Sequence, residues 1–402
     1  MKSYDAIVIG AGAIGSSVAY HLAKKGMKVA VVERSDLASG TSSGCDASAL
    51  ICDKKPGIDT KLGYESIQLY KKYAQEFSYD FEFHQRGSIY VCESEEELEV
   101  ARGYAAAEAA DGYPMRMMDS YELKEAEPNL AQDLVGGIWT ECDSSVTPFR
   151  VAFGFIEEGK KLGLEVFPYE EVTEVKMDGG AVSGVVTTGR ELRGKYVVNC
   201  CGAWAPFVGK MVGLDIPIKP RKGQILVTEK TDLLVKEKIQ EFGYMLSKFE
   251  DVKYERKVSR RVEEHNVAFV IEPTPAQNMI IGSNRSFDGY DKRNTPGAMK
   301  ALAERAIRFI PKIKDVNIIR AYAGLRPYSI DHLPIVSAVE GLPGCFIAAG
   351  HEGDGICMAP ITGYLMSQVI TGETPMFDID RLRFDRFRDE AYLKTVAEAY
   401  ES

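Results

Sequence analysis

Gly10, Gly12 and Gly15 stand in the run Gly10-Ala11-Gly12-Ala13-Ile14-Gly15, a G-x-G-x-x-G spacing, and Glu33 follows at the end of the next apolar run. These residues can hold a dinucleotide. The first glycine permits a tight turn, the second lets the backbone approach a pyrophosphate, and the third lets a helix pack close to a strand. A helix starting beside Ala13 and Ile14 points N–H groups and a positive dipole end at the phosphates. Glu33, with Arg34 next to it, can accept hydrogen bonds from ribose hydroxyls. By itself this fingerprint leaves NAD and FAD open.

The elements that must position these residues are legible around them. Residues 4–9 (YDAIVI) suit a buried parallel strand. Residues 14–25 place Ile14, Val18, Leu22 and Ala23 on one helical face, Gly26 stops that helix, and 28–32 (KVAVV) make a second strand ending at Glu33. A small polar loop follows, Ser39-Gly40-Thr41-Ser42-Ser43-Gly44. The hydroxyls of Thr41, Ser42 and Ser43 can reach a diphosphate and a bound ring system, although such a loop also reads as plain solvent-facing turn.

Composition sets the outer limits. The chain has 402 residues, 45% apolar and 27% charged, which is ordinary for a folded protein and excludes disorder or a small disulfide scaffold. Its 49 basic and 59 acidic residues give a net charge of −10, with no cationic excess to meet nucleic acid. The eight cysteines are scattered, none in a C-x-x-C pair, and five histidines accompany them. They read as reduced thiols of a cytoplasmic chain that builds no zinc or iron–sulfur site of its own, so a redox cofactor here is organic. The N-terminus carries no signal-peptide pattern, and no run approaches the ~20 apolar residues of a membrane helix.

Four separated blocks make the chain resemble the FAD-dependent oxidoreductases of the D-amino acid oxidase-like (DAO) family. The first is residues 5–34 with the loop to Leu50, including Ala47. The second is Val146-Thr147-Pro148-Phe149-Arg150 with the following helix, then the return strand 196–199 ending in Cys200-Cys201-Gly202. The third is Gly324-Leu325-Arg326-Pro327 followed by Asp331-His332-Leu333-Pro334, and the fourth is Gly350-His351-Glu352-Gly353-Asp354-Gly355-Ile356. The resemblance implies non-covalent FAD, with Val172 near the adenine, Gly202 by the ADP portion, and Gly353, Gly355 and Ile356 at the flavin. It implies that Arg326 holds a substrate carboxylate, for which a guanidinium offers two parallel N–H bonds. The alternative for Arg326 is a structural ion pair, with Asp331 as partner. His351 either faces the flavin or merely packs, and Tyr244 or Tyr328 could hydrogen-bond the substrate. Cys357 reads as an ordinary buried thiol.

The expected fold is α/β combined with α+β: an FAD-binding Rossmann-like domain of glutathione-reductase type, interleaved with a mainly antiparallel substrate domain. The FAD domain is assigned to 1–85, 145–210 and 320–380, the substrate domain to 86–144 and 211–319, and the tail to 381–402. Residues 93–108 read as an acidic solvated helix face, and 256–264 as a solvated charged loop. The resemblance is nearest to flavoprotein subunits of the hydrogen cyanide synthase, opine oxidase and D-hydroxyproline dehydrogenase type. It implies hydride transfer from the α-carbon of a small amino or imino acid, with partner subunits carrying iron–sulfur, FMN or a second FAD. The turn at 350–357 reads Asp354 and Cys357 where oxidases carry basic residues, which favours a dehydrogenase. A 2-hydroxy acid dehydrogenase and a non-catalytic FAD-bearing subunit are the alternatives.

Overall fold

The computed structural model describes residues 2–232, 234–246, 254 and 256–401. Two eight-stranded sheets organise it, and a small three-stranded sheet lies between distant loops.

The first sheet has a parallel heart. Ser3–Ile9 lies between Val29–Val32 and Glu191–Asn199, and Glu165–Phe167 and Cys345–Ala349 extend the parallel run at the two sides. All four residues of Val29–Val32 are buried, as expected where helices cover both faces of a parallel sheet. Alternation divides the first strand between two cores. Ala6 and Val8 join Val18, Leu22, Ile361 and Leu365 under the helices, while Ile7 and Ile9 join Val197 and Ile335 on the other face. Ala13–Lys24 packs against Ala359–Thr371, and the two helices meet so closely that a Cβ on Gly363 would lie 2.3 Å from Ser17 Oγ.

The second sheet is antiparallel except where Lys238–Glu241 runs parallel to Ser88–Cys92. Its longest ladder joins Ile218–Thr228 to Ile318–Ser329, in a register that sets Arg221 opposite Arg326 and Gly223 opposite Gly324. Pro296–Phe309 seals one face, with Phe309 stacked on Phe269 at 4.4 Å between ring centroids. The boundary drawn at residue 320 falls inside Ile318–Ser329, which hydrogen-bonds in this second sheet. That strand carries Arg326 as a member of the second sheet.

Two expectations about charge need correction. The helix Glu95–Ala110 is not merely a solvated acidic face: Glu97 and Glu108 are buried, Glu97 accepting from Tyr254 at 2.5 Å and Glu108 from Thr60 at 2.9 Å. Residues 256–264 are not a loop throughout, since Arg260–Glu264 forms a short helix capped by Ser259, and Arg256 pairs with buried Glu241. The partners of Glu97 and Glu108 come from distant parts of the chain. All eight cysteines are free thiols, and among the described residues no group of side chains could hold a metal and no helix is long and apolar enough to cross a membrane.

Candidate active site

A continuous cavity of about 780 Å³ runs from the first glycine turn to the second sheet, within the range of cofactor and ligand pockets. Its nucleotide end is built largely from backbone. Gly10 sits at φ 102°, and a Cβ there would lie 2.8 Å from the Cys200 carbonyl, so only glycine makes this turn. Gly15 does not line the cavity; its role is space, since a Cβ would sit 1.9 Å from the Gly10 carbonyl. Ser42 Oγ accepts from the Ala13 amide at 3.0 Å and stands against Gly12, whose missing side chain keeps the approach open.

Glu33 is oriented before any ligand arrives. Its Oε2 accepts from the Ala11 amide at 2.9 Å and its Oε1 from the Ser35 amide at 3.0 Å, while further lone pairs face the cavity. Arg34 lies 4.5 Å from the ring centre of Trp204, and Trp204, Tyr290 and Lys292 line the same end. These three were not singled out from the sequence: Trp204 follows two residues after Gly202, and nothing near Tyr290 and Lys292 in the chain signals a ligand.

The polar loop is stitched to the second sheet. Thr41 donates to the Leu325 carbonyl at 2.7 Å, and Tyr322 donates to the Cys45 carbonyl at 3.0 Å. Thr41 and Ser42 line the cavity, whereas Ser43 and Ala47 do not. The Ala47 amide is instead held by buried Glu272 at 2.7 Å, so this residue anchors the loop from behind. Val172 and Gly202 line the nucleotide end, and His351, Gly353, Gly355 and Ile356 line the other.

At that other end, Arg326 is half-buried and faces the cavity. It donates to the Asn284 carbonyl at 3.1 Å and to Ser283 Oγ at 2.7 Å, and it fills the space left by Gly223, where a Cβ would lie 2.4 Å from Nη1. It forms no ion pair among the described residues. Asp331, the expected alternative partner, is taken by Arg386 at 2.6 Å and by Tyr392 at 2.7 Å. Burial lowers the pKa of Arg326, although Asp46 and Asp354 counter it from a distance.

Two further arginines join it. Arg221, directly opposite in the ladder, pairs with Glu352 and lies over the Tyr328 ring; burial, then Arg326, pulls its pKa down to about 9. Arg285 lines the cavity and rests 4.1 Å from the centre of the Tyr244 ring. Tyr244 itself does not line the cavity, so the geometry gives it the role of a platform for Arg285.

The glycine turn behaves differently from its sequence appearance. His351 Nε2 lies 2.9 Å from Thr362 Oγ1, and burial pushes its pKa down to about 3, so it is neutral. Asp354 accepts from Lys54 at 2.5 Å, and Asp53 does so at the same distance. Burial opposes the charge of Lys54, but Asp354 and then Asp53 outweigh it and raise its pKa well above normal. The turn has no basic residue of its own, yet it receives one from residue 54. Within the turn the Asp354 and Met358 amides donate to the His351 and Asp354 carbonyls, and the Glu352 amide donates to Pro327 outside it; these bonds do not engage the amides of Gly353, Gly355 and Ile356. Three amides beside a helix start make an electropositive wall.

The residues present therefore fit FAD: an open phosphate cradle at Gly10–Ser42, an oriented carboxylate for ribose, and an amide-rich turn for the ring. Comparison with known proteins agrees. The family model described as FAD dependent oxidoreductase (DAO) matches residues 5–369. Hydrogen cyanide synthase subunit HcnC of Pseudomonas aeruginosa is 29% identical over 98% of this chain and 99% of its own. Glycine oxidase of Bacillus licheniformis is 27% identical over 92% and 94%. The crystal structure of L-proline dehydrogenase from P. horikoshii superposes with a TM-score of 0.86 at 25% identity, covering 96% of this chain and 98% of that one.

Proposed function

The chain belongs to the DAO family of FAD-dependent oxidoreductases, and from that premise we propose that it is a dehydrogenase of a small amino or imino acid, working as the flavoprotein subunit of a larger complex. One observation carries the substrate reading: Arg326 is half-buried, faces the cavity beside the 350–356 turn, and has no carboxylate partner among the described residues. Bound FAD supplies the hydride acceptor for the substrate α-carbon. Arg326 binds the substrate carboxylate through two parallel N–H bonds. Ser283 and Asn284 hold the guanidinium so that this carboxylate enters in one orientation. That orientation carries the α-carbon to the amide-rich turn, and positioning supplies most of the rate. His351 stays neutral and shapes the wall, so no side-chain acid or base is required for the amine form of the substrate.

Lys54 supports the dehydrogenase over the oxidase form. Its ammonium is tied between Asp53 and Asp354 and offers no unpaired cation to oxygen at the turn. Electrons then leave to a carrier or to a partner chain bearing iron–sulfur, FMN or a second FAD, a division of labour supported by similarity to a protein named as a subunit. The two sheets divide the work, the first holding FAD and the second the substrate, with Ile318–Ser329 at their junction.

Anaerobic mixing of the flavin-loaded protein with D-proline, hydroxy-D-proline, other D-amino acids, sarcosine, glycine and 2-hydroxy acids tests this reading. Bleaching of the flavin absorbance by an amino or imino acid is expected, slowed roughly a hundredfold in Arg326→Ala, as for loss of a charge-assisted contact. Slow recolouring in air is expected as well. Bleaching by a hydroxy acid alone, or by dithionite alone, overturns the reading.

A further inference from the structure

Arg285 has no part in the binding of a single carboxylate by Arg326, yet it is brought to the same wall by the fold. The ladder sets Arg221 opposite Arg326, and the bridge between Lys222 and Ser286 brings residue 285 to the other edge of the same strand. Three guanidiniums thus come from three neighbouring stretches of one sheet. Arg326 is hydrogen-bonded to Ser283 and Asn284, the two residues immediately before Arg285.

The acids nearby are already engaged. Glu352 pairs with Arg221, Asp354 with Lys54, and Asp46 lies 3.3 Å from Lys238. Arg285 forms no ion pair among the described residues, and its Nε is buried without an acceptor. A half-buried cation without a counter-charge carries a desolvation cost, which is recovered when an anion arrives. An amino acid with one carboxylate and a neutral amine brings one negative charge, which Arg326 takes. A second guanidinium calls for a second.

We propose that Arg285 and Arg326 together bind an amine bearing two carboxylates, one on each guanidinium, with Tyr244 as the platform that positions Arg285. This rests on the reading of Arg326 as the carboxylate anchor. It narrows the substrate to an amino dicarboxylic acid or an N-carboxyalkyl amino acid.

Non-oxidisable probes separate binding from turnover. The flavin-loaded protein is titrated with glutarate and with butyrate while the visible flavin spectrum is followed. Glutarate is expected to bind about thirtyfold more tightly, the scale of one desolvated charge pair. In Arg285→Gln that ratio falls to within about threefold of one, and Arg285→Lys recovers part of it. Equal binding of the two probes to the wild-type protein overturns the proposal, and so does an unchanged ratio in Arg285→Gln. Should Arg285→Gln lose its flavin, the wild-type ratio decides alone. In parallel, glycine, proline, aspartate and iminodiacetate are tested for anaerobic bleaching. If glutarate is preferred but no amine bleaches the flavin, the dehydrogenase reading fails and the two-carboxylate site stands. If glycine or proline bleaches it and glutarate is not preferred, the outcome is the reverse.

Discussion

The two ends of the cavity are built by opposite means. The nucleotide end is a helix start with two glycine gaps and a carboxylate pre-oriented for ribose hydroxyls, all within Gly10 to Ser42. The opposite end is lined by guanidiniums that neighbouring stretches of the second sheet bring together, Arg326 held by partners elsewhere in the chain. Backbone recognition depends on the absence of side chains and is spelled out locally. Guanidinium recognition depends on register between strands, which no local spacing records.

The largest effect is expected from breaking the first end. Gly15→Val forces atoms into the Gly10 carbonyl, and the purified variant is expected to retain no flavin by absorbance. Full retention would show that the helix can be displaced without harm to the cradle. Next comes the glycine that serves the opposite end. Gly223→Ala puts a methyl where Arg326 Nη1 now lies, so flavin is expected to remain while anaerobic reduction slows roughly a hundredfold, close to Arg326→Ala. Loss of flavin in this variant would erase the distinction between the two ends. A smaller change follows from Glu33→Gln, which weakens ribose acceptance and is expected to lower FAD affinity about tenfold in equilibrium titration, the scale of one hydrogen bond.

The smallest effect belongs to a site serving neither end. Burial raises the pKa of Glu108 to about 7, against the opposing hydrogen bond from Thr60. The folded state therefore holds this proton more tightly than the unfolded chain. That contribution to stability is complete below the ordinary carboxylate pKa and is lost as pH rises through about 7. Glu108→Gln keeps a neutral side chain at every pH. Its melting temperature is expected to match wild type near about pH 4 and to exceed it above about pH 7, by the equivalent of roughly 1–2 kcal/mol. A gap independent of pH would assign the effect to packing.

Much of the nucleotide end was legible because its signals are contiguous: strand, glycines, helix, strand and acid follow one another from residue 4 to Glu33. Strand boundaries there move by only a residue, as with Ser3–Ile9 and Val29–Val32. Arg326 was reached through its Arg-Pro and Asp-x-Leu-Pro setting, and the structure replaces its suspected ion pair by exchanging Asp331 to Arg386. Arg285 escaped notice because Ser283-Asn284-Arg285 carries no pattern, and its meaning arises only when three strands align. Lys54 escaped for the same reason, since its partner Asp354 belongs to a turn three hundred residues away. The burial of Glu97 and Glu108 was hidden by the acidic run around them, in which helical pitch decides which carboxylates face inward.

The parallel heart of the first sheet has a consequence for how the chain is made. Ser3–Ile9 leaves the ribosome long before the strand beside it, Glu191–Asn199, and the strand beyond that, Cys345–Ala349. At roughly 5–20 residues per second, the interval between the first glycine turn and the last lasts tens of seconds. Through that time apolar strand surface waits without a partner, and half of the cradle exists without the other half. Capture of the dinucleotide is thus a closing event of biosynthesis, and in a cell short of flavin the nascent chain would meet chaperones and proteases with its central sheet still open.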